Sequence, residues 1–535
     1  MLRCLSPYDV PPPPLFPLVP DTTLNDTGIV DNGSFSNPII PGFHPDPSIC
    51  RVGRDYYLVN SSFEYFPGIP VFHSRDLVNW RQIGHCLTRT SQLDLNRTVS
   101  NGGIAAPTIR YDNGIFYVIV TETVKKGNLF VTAEDPAGPW SDPICVPTEG
   151  FDPSLFFDDD GKVYFQSQEG EGRESHIIQY RIDLTTGNRI GQKKTIWTGD
   201  GDYWLEGPHL YKINEIYYLT AASGGTGANH HQLIAASNRV FGPYIDYPSN
   251  PILSHKGTTE PIQYTGHADM FEDHNGRWWA VFLAGRPMNV GCSPLGRETF
   301  LAPVLWKKGW PVIGNEGKVS LTMNGPLPEA CPWEPLPARD EFDSSGLPLQ
   351  YVFLRNPKPG SFSLRERPGW LRLHGNAFTI SNQDACAFIG RRQQHLSALV
   401  RVKMAFSPQQ AGEEAGVCIR LNESAHYECA VIRRPDADRC MVRTCMNGET
   451  HFVDSLESPG AASYFQIECS HEQYTISFSA DTTSPVTLAT LETRPLTMES
   501  VQSFTGVVIG MYATGNGKVC TAPADFDWME YIPHD

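Results

Sequence analysis

The chain of 535 residues lacks several features that would mark other classes of protein. No apolar run approaches 18 residues, so we expect no transmembrane helix. Basic residues are few: 42 Lys and Arg stand against 59 Asp and Glu, and the net charge of −17 disfavours nucleic acid and anionic membranes as partners. The 13 cysteines include no CxxC pair, which predicts neither a zinc site nor a compact disulfide framework. Seven of them, from Cys386 to Cys520, leave room for a bridge or two.

The N-terminus also lacks the unbroken apolar segment of a signal peptide. Pro7 and the prolines at positions 11 to 14 interrupt its apolar residues. Two compartments therefore stay open: the cytoplasm or, if the precursor begins upstream, the outside of the cell. Residues 1–36 are rich in proline and polar side chains, which predicts an extended arm.

What the sequence does contain is a unit that recurs five times after residue 36. Each unit has an anchor residue, a short apolar strand, a turn rich in Asp, Asn and Gly, and an aromatic strand, which together indicate a β-hairpin. The second aromatic residue follows the anchor by 10 or 11 residues each time, and the anchors are 46 to 60 residues apart. A period near 50 is typical of a β-propeller blade. The anchors are Pro47, Pro107, Pro153, Pro208 and Ala268.

This repeat predicts an all-β protein with a five-bladed β-propeller over residues 37–325. A long β-sandwich with coincidental hairpins is the alternative, but the regular spacing disfavours it. Residues 326–340 are rich in proline and predict a linker. Residues 341–535 contain alternating segments such as WLRLHG and YTISFSA, which predict one β-sandwich. The sequence makes no prediction about the oligomeric state.

Three acidic residues are predicted to meet on the propeller axis, because the anchors begin the innermost strands. The residues at or just before the anchors are Asp46, the Ala105–Ala106 pair, Asp152, Glu206 and His267. A turn would explain Asp46 between two prolines equally well, but not Glu206. Three convergent carboxylates could hold a divalent cation such as Ca²⁺ or perform acid–base chemistry on a glycosidic bond. The aromatic residues around these motifs favour a sugar ligand.

The motifs GFHPDPS, GFDPSLFFDDDGKVYF, EGPHLY, TGHADMFED and PLGRETFLAP resemble those of glycoside hydrolase family 43. The resemblance is to its β-xylosidase and α-L-arabinofuranosidase members and covers nearly the whole chain after residue 37. It implies that the propeller is the catalytic domain and that the C-terminal region is the concanavalin-like β-sandwich of these enzymes. It also implies that no cofactor is required, although some relatives carry a Ca²⁺ on the axis near the histidine that matches His267.

The resemblance assigns roles to the three acids. Asp46 would be the general base that activates water, and Glu206 the general acid that protonates the leaving oxygen. Asp152 would tune the pKa of the acid and orient it. The implied reaction inverts the anomeric configuration. We therefore expect the carboxyl groups of the base and the acid to lie about 6.5–9.5 Å apart, which leaves room for the attacking water.

The resemblance also implies four substrate-binding residues. Arg297 would bind substrate hydroxyls and lower the pKa of the base, and His267 would lie on the axis. Phe63 would form an apolar wall beside the terminal sugar. Phe504, in the segment SFTGVVIG, would belong to a loop of the sandwich that closes the pocket. Such a lid favours an enzyme that trims chain ends.

The expected function is therefore an exo-acting, inverting glycosidase. It would release xylose from β-1,4-xylo-oligosaccharides, arabinofuranose from arabinoxylan, or both. Ala105 departs from the family, which usually has Trp or Tyr there, and this leaves open a predominant α-L-arabinofuranosidase acting on branched arabinan or arabinoxylan. Two further alternatives remain: a carbohydrate-binding propeller without catalysis, and a structural propeller stabilised by Ca²⁺.

Overall fold

A computed structural model of the protein describes residues 33–288, 291–458, 462–481 and 484–534. The predicted N-terminal arm therefore lies almost entirely outside the described residues. The regular secondary structure of the described residues is β-strand except for three single-turn helices at Gly172–Glu174, Arg494–Leu496 and Met498–Val501. None of these helices is long and apolar enough to cross a membrane. The predicted fold class, a five-bladed propeller followed by a concanavalin-like sandwich, is confirmed.

Each of the five predicted hairpins forms the two inner strands of one antiparallel blade. Apolar side chains alternate along these strands and pack between neighbouring blades, so each blade buries both of its faces. The blades are Ser48–Val52, Asp55–Val59, Gly68–Ser74 and Arg81–Leu87; Ile104–Asp112, Ile115–Glu122, Gly127–Ala133 and Ile144–Cys145; Phe151–Phe157, Val163–Glu169, His176–Ile182 and Arg189–Trp197; Glu206–Ile213, Ile216–Ser223, His231–Ser237 and Ile245–Asp246 with Leu253–Ser254; and Gln263–Glu272, Trp278–Gly285, Glu298–Lys307 and Trp310–Ile313.

Contacts between distant parts of the chain close the propeller. The short strand Ser34–Ser36 pairs with Thr322–Asn324 beyond the fifth blade. The carboxylate of Asp269 on the axis then joins four blades. It accepts hydrogen bonds from the Ser48 hydroxyl at 2.6 Å, the Tyr211 hydroxyl at 2.8 Å and the Arg110 guanidinium at 2.8 and 3.2 Å. This buried network fixes the inner strands relative to one another.

The C-terminal region is a sandwich of two antiparallel sheets around one apolar core. The first sheet contains Arg339–Asp340, Phe362–Ser363, Leu371–Leu373, Ala398–Phe406, Ala462–Cys469, Gln473–Ser479, Val486–Glu492 and Ala524–Pro533. The second contains Tyr351–Leu354, Ala387–Arg392, Glu414–Asn422, Ala425–Arg433, Asp438–Met446, Glu449–Glu457 and Val508–Thr514. The twelve cysteines of the described residues are all free thiols. The domain boundaries given above stay a prediction.

The sandwich is joined to the first propeller blade by a shared sheet. The propeller strand Tyr65–Phe66 pairs with Tyr351–Leu354 at the edge of the second sheet. Beside it, the Arg420 guanidinium donates a hydrogen bond to the Tyr65 hydroxyl at 2.8 Å and lies 3.4 Å from a carboxylate oxygen of the buried Glu64. This continuous junction fixes the sandwich against the first blade.

Candidate active site

The five innermost strands share an unusual backbone conformation where they reach the axis. Asp46, Ala106, Asp152 and His267 have φ values of 47 to 54°, in the left-handed region, and the fourth blade has Gly207 there with φ 58°. In blades two to five the hairpin ladder is interrupted around this residue, as in a β-bulge. Left-handed non-glycine residues cost of order 1–3 kcal/mol and cluster at functional sites. The repeated bulge directs one side chain from each of several blades toward one point.

The Asp46 carboxylate is surrounded by groups that favour its ionised form. The Ser61 hydroxyl donates to Asp46 Oδ2 at 2.5 Å, and Arg297 Nη1 donates to Oδ1 at 3.1 Å. The Nδ1 atom of His267 lies 3.9 Å from the same Oδ1. Burial favours the neutral acid, but the charge of Arg297 and the Ser61 hydrogen bond outweigh it and hold the pKa of Asp46 below its ordinary value. Asp46 is therefore a carboxylate at neutral pH.

Asp152 and Glu206 lie in the opposite electrostatic environment. Burial raises the pKa of Glu206 to about 8, and the negative charge of Asp46 adds to the effect. Burial and the nearby carboxylates of Glu206 and Asp46 also raise the pKa of Asp152, and one Asp152 oxygen accepts a hydrogen bond from the Gly207 amide at 3.1 Å. Two adjacent buried carboxyl groups cannot both ionise at low cost. The pair therefore keeps a proton at neutral pH.

Two buried histidines lie beside the acids. His267 Nδ1 is 3.9 Å from Asp46 Oδ1 and 4.0 Å from Asp152 Oδ2, so its ring lies between the two carboxylates. His230 Nε2 is 3.9 Å from Glu206 Oε1 and has no hydrogen-bond partner in the described structure. Burial lowers the pKa of both rings, that of His230 to about 3, so both are neutral. A Cβ atom on Gly207 would lie 2.9 Å from the His267 ring, which explains the glycine there.

A pocket of about 840 Å³ opens above these groups. The structure brings all seven predicted site residues to its wall: Asp46, Phe63, Asp152, Glu206, His267, Arg297 and Phe504. Phe151, Trp204 and Ala105 also line it. The rings of Phe63 and Phe504 lie 5.9 Å apart, and Phe504 is 41% exposed at the mouth. The catalytic and binding roles of these seven residues stay predictions.

Asn101 is a lining residue that the motifs did not reveal. Its side-chain oxygen accepts hydrogen bonds from the Phe504 amide at 2.8 Å and the Ser503 hydroxyl at 3.1 Å. Its side-chain nitrogen donates to the Gln502 carbonyl at 3.2 Å. Arg297 completes the attachment, because its Nη2 donates to the Phe504 carbonyl at 3.2 Å. The propeller therefore fixes the sandwich loop on both sides of the Phe504 ring.

Sequence reasoning also missed Ser61 and His230. Each contacts or lies near a motif residue in the folded chain, Ser61 near Asp46 and His230 near Glu206, but neither belongs to the repeating pattern of the sequence. Ser61 lies in NSSF, where a serine is an ordinary turn residue, and His230 is one of two adjacent histidines in NHHQ. The folded chain shows one related constraint: a Cβ atom on Gly266 would lie 2.6 Å from the His230 ring.

The described residues contain no group of three or more His, Cys, Asp and Glu side chains arranged to hold a metal ion. The His267 ring lies between Asp46 and Asp152, and the Arg297 guanidinium beside Asp46 is a fixed positive charge. What the arrangement can do is hold one ionised carboxylate and one protonated carboxyl group in the same pocket. These are the two groups that acid–base hydrolysis of a glycosidic bond requires.

Two family models match the chain. The one for Glycosyl hydrolases family 43 covers residues 35–311, and the one for Beta xylosidase C-terminal Concanavalin A-like domain covers residues 339–532. A non-reducing end alpha-L-arabinofuranosidase of Bacteroides ovatus is 43% identical over 93% of this chain and 94% of its own. A beta-xylosidase of Bacillus subtilis is 35% identical over 93% of this chain and 99% of its own.

Solved structures give the same likeness in three dimensions. The GH43B protein of the Bacteroides ovatus xyloglucan locus superposes with a TM-score of 0.90 at 42% identity, covering 93% of this chain and 99% of its own. A xylan beta-1,4-xylosidase from Bacillus halodurans superposes with a TM-score of 0.86 at 34% identity, covering 93% and 100%. Both likenesses extend over the propeller and the sandwich together.

Proposed function

This chain belongs to family 43 of the glycosyl hydrolases, and on that premise we propose that its pocket removes the terminal pentose of a xylo-oligosaccharide or an arabinoxylan with inversion. It is an exo-acting glycoside hydrolase of the xylosidase and arabinofuranosidase type. The names of the relatives divide between these two activities. Xylose and arabinofuranose present similar hydroxyl groups to one pocket, so both substrates are part of the proposal.

One observation carries the proposal: the pocket holds its carboxyl groups in opposite protonation states. The pKa of Asp46 is lowered against the effect of burial by Arg297, and the pKa of Glu206 is raised by burial to about 8. A binding protein has no need of this asymmetry, whereas an inverting hydrolase needs an ionised base and a protonated acid together.

The proposed reaction uses these two groups in one step. Asp46 accepts a proton from water as the water oxygen bonds to the anomeric carbon. The bond from that carbon to the leaving oxygen breaks, and Glu206 gives its proton to that oxygen. Burial and the negative charge of Asp46 keep the proton on Glu206, and Asp152, whose pKa they also raise, is proposed to tune and orient it. Arg297 holds Asp46 in place and has an unpartnered buried Nε. That donor is suited to a substrate hydroxyl.

The proposal is tested with p-nitrophenyl β-D-xylopyranoside and p-nitrophenyl α-L-arabinofuranoside. We expect release of p-nitrophenol from at least one of them, and the ratio of the two rates names the preferred sugar. Proton NMR of the first sugar formed tests inversion, since a β-xyloside should give α-xylose first. No release from either substrate or from a branched arabinoxylan would favour the carbohydrate-binding alternative.

Ala105 is the residue that we expect to set the preference between substrates. It is partly buried in the pocket wall, where its small side chain leaves room for a branched group. Ala105→Trp should add a stacking surface worth about 1 kcal/mol or more, and so lower KM for the xyloside roughly 5-fold. The same ring should slow release from branched arabinoxylan. Ala105→Val is the control, and an unchanged preference in the Trp variant would contradict this role.

Asn101 is expected to act on substrate binding through Phe504. Asn101→Ala removes the acceptor of the Phe504 amide, so the lid loop should lose its fixed position over the pocket. A hydrogen bond of this kind contributes about 1 kcal/mol, which predicts KM raised roughly 5-fold with a smaller change in kcat. Asn96→Ala is the control, because the exposed Asn96 side chain donates a hydrogen bond to its neighbour Asp94 and, among the described residues, to no other group. An equal fall in kcat with no change in KM would contradict a positioning role.

The plot of kcat/KM against pH should be a bell-shaped curve whose plateau extends to alkaline pH. Activity needs Asp46 ionised, so it should fall only when pH drops below the lowered pKa of Asp46. Activity also needs Glu206 protonated, so it should fall as pH rises through about 8. Initial rates from pH 3 to 10 check both limbs. An alkaline limb at pH 5 would show that Glu206 has an ordinary pKa and would contradict its assignment.

A structural Ca²⁺ on the axis near His267 stays a prediction that rests on the resemblance alone. Neutral His267 Nδ1 is flanked by the Asp46 and Asp152 carboxyl groups, which are oxygen ligands of the type that Ca²⁺ prefers. Rates and thermal unfolding measured with and without a chelator would test it. No difference between the two conditions would remove the cation from the proposal.

A further inference from the structure

A second cavity, of about 580 Å³, lies between the two domains and away from the pocket. We call it the inter-domain cavity. Its wall comes from the first blade, from the linker around Trp333 and from the sandwich strand that ends at Arg392. None of the seven predicted site residues lines it. Its volume falls in the range of 300–1,000 Å³ that small-molecule sites occupy.

Arg392 is the unusual group in the wall of this cavity. The residue is 5% exposed, yet its side chain makes no hydrogen bond or ion pair with any residue that the structure describes. Its guanidinium carbon lies 5.1 Å from the centre of the Phe43 ring, and its charge also acts on His44, His85 and Tyr65. Burial lowers the pKa of Arg392 to about 10, so the group is still charged at neutral pH. A buried charge without a partner is costly, and such charges are normally paired.

The rest of the wall increases the positive charge. Arg391 and Arg81 also line the cavity, and Arg391 Nε has no hydrogen-bond partner in the described structure. The one carboxylate in the wall belongs to Glu334, which is exposed. Burial and Arg392 hold the pKa of His44 well below its ordinary value, so His44 is neutral. A cationic wall in a chain of net charge −17 indicates a site for an anion.

Aromatic rings define the shape of the partner. Trp80 and Trp333 both line the cavity, and their indole N–H groups already donate to the carbonyls of Leu77 at 2.7 Å and His73 at 3.3 Å. The indole N–H groups are therefore satisfied, and the two rings offer a ligand apolar surface, with the Arg81 guanidinium carbon 5.7 Å from the centre of the Trp333 ring. A guanidinium has the planar fork that matches a carboxylate.

We propose that the inter-domain cavity binds a small carboxylate that carries a ring, with the carboxylate on Arg392 and the ring against Trp80 and Trp333. The ring can come from a sugar acid or from an aromatic acid, since both present a flat apolar face and one negative charge. The site does not depend on the hydrolase function of the pocket.

Calorimetric titration of the full chain with D-glucuronate and with benzoate tests the proposal and distinguishes the two sources. We expect binding of at least one of them, and none of D-glucose, benzamide or acetate, which each lack the charge or the ring. Arg392→Met should weaken binding roughly 10- to 100-fold, as expected for a lost charge-assisted hydrogen bond. Arg297→Met is the matched control, because Arg297 is the buried arginine of the other pocket and its loss should leave this binding unchanged.

Thermal unfolding of the same variants separates binding from folding. Because no described residue forms a hydrogen bond or ion pair with the Arg392 side chain, Arg392→Met loses only its contact with the Phe43 ring and should unfold at the wild-type temperature or above it. Trp333→Ala, in the partly exposed linker, gives a second variant that should also weaken binding. No binding of either acid at 10 mM, binding that is lost in Arg297→Met but kept in Arg392→Met, or a large fall in unfolding temperature for Arg392→Met would each overturn the proposal.

Discussion

Exchanging Glu206 for glutamine should lower kcat on xylo-oligosaccharides by about 10³-fold, because the amide has no proton to give to the leaving oxygen. Natural substrates have a poor leaving group and depend on that proton. An activated aryl glycoside such as a dinitrophenyl xyloside does not depend on that proton, so the fall in kcat on it should stay within about 10-fold. The contrast between the two substrates is the measurement, since general damage to the pocket would affect both alike.

The Glu206→Gln variant should also lose the alkaline limb of its pH profile. That limb belongs to the buried pair of Glu206 and Asp152, whose pKa values are both raised by burial and by neighbouring carboxylates. Glu260→Gln provides a control at an exposed glutamate of the same part of the propeller. Equal losses on natural and activated substrates would contradict the role of Glu206 as the general acid.

The propeller could be predicted from the sequence because its signals are local. Each hairpin places its turn residues and its aromatic strand within about a dozen positions of its anchor, and in the structure the second aromatic pairs directly with the inner strand, as Tyr57 does with Cys50 and Trp279 with Phe271. The acids followed from the same repeat, since Asp46 and Asp152 occupy the equivalent left-handed position of their blades and Glu206 directly precedes that position in the fourth blade. Local pattern therefore fixed both the fold class and the residues on the axis.

The contacts that complete the site could not be predicted in this way. Asn101 meets Ser503 across 402 positions of the chain, and no periodicity connects a loop of the second blade to a loop of the sandwich. Phe504 entered the prediction only through the family resemblance. Arg392 left no signal at all, because what distinguishes it is that its buried Nε has no hydrogen-bond partner among the described residues. Such features depend on the packing of two domains, which the sequence pattern of either domain does not contain.

Exchanging Asp46 for asparagine is expected to lower kcat by about 10³- to 10⁴-fold on every substrate, because the amide cannot accept a proton from the attacking water. Leaving-group ability should not reduce this loss, and that distinguishes the base from the acid. Asparagine is isosteric, but it leaves the buried Arg297 guanidinium without its carboxylate, so the unfolding temperature should fall and the rates are compared well below it.

The Asp46→Asn variant is compared with Glu206→Gln on the same two substrates. Asp142→Asn, at a surface carboxylate paired with Arg89, is the control for the chemical change itself. If Asp46 is the base, Asp46→Asn should lower kcat equally on activated and natural substrates, whereas Glu206→Gln should lower kcat more on natural substrates. A loss under 10-fold in Asp46→Asn, or one that shrinks with a better leaving group, would show that another group activates the water. The ionised carboxylate of Asp46 would then serve only to hold Arg297 in place.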